Sequence, residues 1–129
     1  MNCLLDTCTL LWLAMEQTSL SDGVRDILAN PKANCHVASI SAFEIAQKHI
    51  KGKLKLPSPP DEWFRLCLRL HALSSLPLDH EVALKAAALP PLHSDPFDRL
   101  IIATAMEHNL ILLTPDEHVR RYPGLATLW

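Results

Sequence analysis

Short, almost uniformly apolar runs alternate along the chain with longer stretches in which apolar residues recur every three or four positions. The short runs suit strands of a buried sheet, and the longer stretches suit helices with one apolar face. "NCLLD", residues 2 to 6, predicts a first strand, and "TCTLLWLAM" predicts a helix opened by Thr7. "SDGVRDILA" predicts a second helix capped by Ser21, and "CHVA", residues 35 to 38, a second strand after the break at Asn30 and Pro31. A further helix is expected from about Ser41, with Phe43, Ile45, Ala46 and Ile50 on its apolar face and Gly52 at its end. Prolines 57, 59 and 60 then lead into "DEWFRLCLRLHA", where Trp63, Leu66, Cys67 and Leu70 keep helical spacing. Asp61 and Glu62 fall in the first turn of that helix and are assigned to its dipole.

"LSSLPL", residues 73 to 78, reads as a weak third strand, "DHEVALKAAAL" as a helix capped by Asp79, and "DPFDRLIIATA" as another helix with proline at its first position. "LILLT", residues 110 to 114, fits a strand buried on both faces, "DEHVRRY" a short helical turn, and "LATLW" an edge strand. The order β, α, α, β, α, α, β, α, α, β, α, β predicts an α/β protein with a mostly parallel sheet covered by helices on both sides.

Composition narrows the function classes. At 129 residues, 49% of them apolar, the chain is expected to fold as a single domain over residues 1–129 with a substantial core. Its longest apolar clusters fall well short of the roughly 20 residues of a membrane span, and its start lacks the basic stretch of a signal peptide, so a soluble cytoplasmic protein with no membrane partner is expected. Cys3, Cys8, Cys35 and Cys67 form no CxxC pair and sit among apolar residues, as buried thiols do. The seven histidines show no HxxxH spacing, which argues against zinc. Gly23, Gly52 and Gly124 make neither GxGxxG nor a P-loop. The net charge of −2 gives no overall field for a polyanion, although Lys48, Lys51, Lys53 and Lys55 make a local basic stretch; a solvated helix end explains those lysines equally well.

The acids carry more information. In an open parallel sheet, functional groups gather outside the carboxyl ends of the strands. Asp6 ends the first apolar run, Asp116 lies two residues past "LILLT", Asp98 opens a helix leaving the same edge, and Glu44 lies near the start of the helix after the second strand. Each has a local alternative as a cap, a dipole partner or a solvated residue. Burial of carboxylates beside such apolar strands would cost several kcal/mol without compensation, and a shared cation supplies it. Hard oxygen donors without His or Cys suit Mg²⁺ or Mn²⁺. Such an ion binds phosphate oxygens, activates water and makes an acidic pocket receptive to a polyanion.

"LLDTCTLLW", "SAFEIAQKHIKGKLKLP", "DPFDRLIIATA" and "LLTPDEHV" together, in this order, resemble the PIN domains of VapC-like toxins from bacterial toxin–antitoxin pairs. That resemblance implies an α/β/α sandwich, a Mg²⁺- or Mn²⁺-dependent endoribonuclease that leaves a 5′ phosphate, a homodimer, and an antitoxin partner covering the site. Position by position it makes Asp6, Glu44, Asp98 and Asp116 the metal-binding acids. Asp95 either joins the site or remains a cap, and Thr7 and Thr114 would support the ligands by hydrogen bonding. Arg99, Lys48 and Lys51 are the candidate phosphate contacts, with a surface salt bridge as the alternative for Arg99. The chain departs from the family wording with Cys8 in place of histidine, Phe43 in place of tryptophan and Pro115 in place of arginine, the last removing a cation near the metal edge. Two rivals remain: a catalytically silent module that binds a partner, and a phospho-acceptor signalling domain. The second normally pairs acids at the first strand and places a lysine after the last, where this chain has "LLTPD".

Overall fold

The computed structural model describes all 129 residues. Its strands are β1 (Asn2–Leu5), β2 (Asn34–Ala38), β3 (Ser74–Leu76), β4 (Ile111–Leu113) and β5 (Thr127–Leu128). All four neighbouring pairs are parallel, in the order β3-β2-β1-β4-β5. The chain builds outward from β1 on one side, then crosses to β4 on the other. The boundary between β1 and β4 is therefore the point where strand order reverses, and parallel sheets open a crevice there at the carboxyl ends.

Helices α1 (Thr7–Met15), α2 (Asp22–Ala29), α3 (Ser39–Ile50) and α4 (Pro60–Leu70) precede β3, and α5 (His80–Ala88), α6 (Pro96–Glu107) and α7 (Glu117–Arg120) follow it. Strand alternation divides the core between the two sheet faces. Cys3, Leu5, Val37 and Leu113 pack with Leu10, Leu13, Val24, Ile45, Trp63 and Phe64 from α1 to α4. Leu4, Ala38 and Leu112 pack on the opposite side with Ile101, Ile102, Ala105 and Val119 from α6 and α7. Val82 and Ala86 of α5 close against Ala103 of α6, so α5 reaches the sheet through α6. The result is an α/β/α sandwich, as the sequence order predicts.

Two boundaries near the strand-end acids differ from expectation. Asp6 caps α1 instead of ending β1, although its backbone N–H still donates to Leu113 at 3.3 Å, continuing the sheet by one residue. Helix α3 begins at Ser39 with no loop after β2, and the Ser41 hydroxyl lies within it, facing Thr7 at 2.9 Å. Glu44 therefore occupies the second turn, one turn deeper than the sequence suggests. No helix is long and apolar enough to cross a membrane.

Candidate metal centre

Four chain segments bring acids to the carboxyl edge of the sheet. Asp6 follows β1 and turns the chain into α1, its Oδ1 accepting the Thr9 N–H at 2.7 Å. Only 9% of Asp6 is exposed. Burial raises the pKa of its carboxyl; hydrogen bonds from Thr114 and Thr9 oppose that rise, and the nearby Asp116 charge adds to it. Asp116 enters α7 in the same manner, with Oδ1 accepting from the His118 N–H at 2.8 Å while its own N–H donates to the Thr114 hydroxyl at 3.2 Å. Thr114, fully buried, thus links the two acids flanking the β1/β4 boundary.

Glu44 is buried on the inner side of α3. Its Oε1 accepts from the Thr7 hydroxyl at 2.7 Å, and its Oε2 lies 3.0 Å from the Lys48 ammonium one turn along the helix. Thr7 is the first residue of α1, so this bond fixes Glu44 relative to Asp6. A carboxylate with two such partners is held in one rotamer.

Asp98 sits in the first turn of α6. Asp95 is the N-cap, with Oδ1 accepting from Phe97 at 2.9 Å and from Asp98 at 3.5 Å, and Pro96 occupies the first helical position where no N–H is needed. Asp98 Oδ2 is 2.7 Å from His93 Nε2. Its pKa is raised to about 6, chiefly by burial; the His93 bond pulls it down, and the Asp95 and Glu44 charges push it up. Asp98 therefore feels Glu44 from one side of the cleft, just as Asp6 feels Asp116 from the other.

The tightest convergence is His93, Asp98 and Asp116, whose ligand atoms all lie within 4.8 Å of one another. Asp6 and Glu44 stand outside that cluster, each close enough to one of its acids to feel its charge, Asp6 to Asp116 and Glu44 to Asp98. This donor set fits a divalent cation on two grounds: the acids would repel one another without one, and burial raises the carboxyl pKa of both Asp6 and Asp98, a cost that a shared cation would offset. Asp95 is fully engaged as a cap by its Oδ1, which favours the capping alternative for that atom.

The placement of Arg99 corrects the sequence reading. Its guanidinium turns away from the cleft and donates to the carbonyls of Ala86 and Leu89 at 2.8 Å, Pro90 at 3.0 Å and His93 at 3.2 Å. The phosphate-contact role and the salt-bridge alternative both give way to this bonding, because neighbouring residues on a helix project about 100° apart. Lys48 rests on Glu44, and Lys51 is exposed at the end of α3. Histidine spacing does not single out His93, because an HxxxH pattern marks pairs on a helical face and His93 stands in a loop. Its only signal is its position in "HSDPFD", beside the two acids.

A family model described as PIN domain matches residues 3–125. The chain belongs to the PIN domain family. This PIN domain is 34% identical to "Ribonuclease VapC22" of Mycobacterium tuberculosis (strain ATCC 25618 / H37Rv), an alignment covering 98% of this chain and 97% of the relative. Its fold matches chains in the crystal structures of VapBC2 from Rickettsia felis bound to a promoter DNA fragment (TM-score 0.74, 18% identity, 99% of this chain and 98% of that one) and of DNA-bound VapBC from Salmonella typhimurium (TM-score 0.69, 17% identity, 99% and 97%). At those identities the structural likeness speaks for the fold of this PIN domain, and the chemistry must come from its own residues.

Proposed function

We propose that this PIN domain is a divalent-metal-dependent endoribonuclease, the toxin of a toxin–antitoxin pair, acting on RNA in the cytoplasm. The observation that carries this reading is the meeting of Asp98 and Asp116 within one 4.8 Å cluster at the strand ends, with buried Asp6 and Glu44 beside it. The full-length relative that bears the name of a ribonuclease supports the reaction class. The VapBC structures that share the fold support an antitoxin as partner; a second copy of the chain is the other partner that membership of the family leads us to expect.

Asp6, Asp98 and Asp116 would hold Mg²⁺ or Mn²⁺, with Glu44 reaching it directly or through water. When bound, the cation supplies an activated water and a Lewis acid for the phosphodiester oxygens. Thr7 fixes Glu44 and Thr114 fixes the chain at Asp116, so the acids are oriented before substrate arrives. Lys48 neutralises Glu44 and stands with Lys51 on the flank of α3, where both can contact the RNA backbone without reading its sequence. Phe43, 54% exposed, packs against Phe97 with ring centroids 5.8 Å apart. These rings are sequence neighbours of Glu44 and Asp98, and they offer an unpaired base a surface to stack on. No protein nucleophile is required.

The test is cleavage of total RNA by purified protein in Mg²⁺, in Mn²⁺ and in EDTA, with the new ends mapped. The expected result is cutting that requires metal, leaves 5′ phosphates, and disappears in a folded Asp6→Asn variant. Equal cutting in EDTA, or by the variant, would defeat the proposal.

A further inference from the structure

Four features of His93 bear on the composition of the centre. Its Nε2 is 2.7 Å from Asp98 Oδ2. The same side chain belongs to the 4.8 Å cluster with Asp116, so it faces both acids and not Asp98 alone. Its backbone carbonyl is anchored twice, by Arg99 Nη1 at 3.2 Å and by the Tyr122 hydroxyl at 3.3 Å. Its ring stacks on that of His118 at a centroid distance of 5.9 Å and an angle of 16°, and His118 lies in the first turn of the helix that Asp116 caps. A histidine in a loop held at backbone and ring is a positioned group, with Nε2 directed into the acidic cleft.

We propose that His93 is a nitrogen ligand of the cation in this centre, and that it biases the centre toward Mn²⁺ and against Mg²⁺. The inference rests on the metal-dependent reading above and refines the donor set from all oxygen to mixed oxygen and nitrogen. In this structure His93 Nε2 is within hydrogen-bond distance of the Asp98 carboxylate, 2.7 Å away. With a cation held among His93, Asp98 and Asp116, Nε2 would present its lone pair to the ion, its ring proton carried on Nδ1 or released to solvent. Imidazole suits transition metals, whereas Mg²⁺ prefers oxygen donors and retains its water. The stacked His118 holds the plane of the ring and is not itself part of the ligand cluster.

The test uses the whole protein loaded with Mn²⁺, read by electron spin-echo envelope modulation for coupling between the manganese and a directly bound ¹⁴N. Calorimetric titrations of Mn²⁺ and Mg²⁺ accompany it. The wild type is expected to show ¹⁴N coupling, retained in His118→Ala and absent from His93→Ala and His93→Gln. Mn²⁺ affinity should fall at least about tenfold in the two His93 variants, the scale on which changes around a metal site act, with a smaller change for Mg²⁺. The glutamine variant keeps a polar group of similar length and guards against a loss caused by collapse of the loop. Tight Mn²⁺ binding without ¹⁴N coupling would overturn this inference while leaving the carboxylate centre in place. Coupling that survives in both His93 variants would overturn it likewise. Absence of Mn²⁺ binding to the wild type would overturn the inference together with the reading beneath it.

Discussion

Replacing Asp98 by asparagine is expected to remove metal-dependent RNA cleavage, by about a hundredfold or more, and at the same time to make the metal-free protein harder to unfold. The two effects share a cause. Asp98 titrates at about 6 in the folded protein because it is buried beside Asp95 and Glu44. In the unfolded chain it should titrate near the ordinary aspartate value of about 3.9. Below about pH 4 both states hold the proton and the group has no effect on stability. Between about 4 and 6 the folded state retains a proton that the unfolded state has released, so stability falls as pH rises. Above about 6 both states are ionised and the folded protein carries the full penalty, roughly 2–3 kcal/mol for a shift of about two units. The amide has no charge to bury and can still bond to His93. At pH 7.5 without metal, Asp98→Asn should therefore melt several degrees above wild type, with the gap closing near pH 4. Mg²⁺ should raise the melting temperature of the wild type and leave that of the variant almost unchanged. A variant that melts below wild type at pH 7.5 would show that Asp98 is there for the fold.

Arg99→Ala should cause the largest loss of stability among the charged residues, about 3–4 kcal/mol in urea denaturation. The guanidinium gathers the carbonyls at and just past the end of α5, at Ala86, Ala87, Leu89 and Pro90, and adds the His93 carbonyl and the Tyr122 hydroxyl. Its positive charge also complements the carboxyl end of that helix. One side chain thereby joins α5, the loop that carries His93, and the segment after α7 to the start of α6. Lysine cannot span so many acceptors with a single ammonium, so Arg99→Lys should recover less than half of the loss. If Arg99→Ala instead kept full stability and weakened RNA binding alone, the residue would be the phosphate contact that its place beside Asp98 suggests.

Arg99 and His93 also show where the sequence stops being legible. Strand-end acids can be read because an apolar run followed by a carboxylate is a local pattern; Asp6 and Asp116 needed only the period of the neighbouring strands and the rule that parallel sheets open at their carboxyl ends. The same reasoning found Asp98 and Glu44, and it recovered the parallel sheet with helices on both sides. The apolar spacing predicts α3 only from about Ser41, whereas the helix follows β2 directly from Ser39 and the Ser41 hydroxyl turns toward Thr7. It made β3 too long because this strand lies at the sheet edge with Ser74 and Ser75 exposed, so no alternation of buried and solvent positions marks its ends. His93 reaches the cluster only because Arg99 and Tyr122 pin its backbone and His118 stacks on its ring, contacts that span up to 29 positions of chain. The direction of Arg99 depends on where α5 ends in space. Neither fact has a local signature.

The central claim is that acids from four separate segments serve one cation site, and calorimetric titration of Mn²⁺ into the metal-free protein tests it most directly. Wild type should bind with saturation at the cleft, and Asp6→Asn, Glu44→Gln, Asp98→Asn and Asp116→Asn, each folded by circular dichroism, should each weaken that binding by about tenfold or more. Binding that is unchanged in all four variants, or weakened in one alone, would contradict the shared centre and leave Asp6 and Asp116 as helix caps, Asp98 as a partner of the α6 dipole and Glu44 as the partner of Thr7 and Lys48.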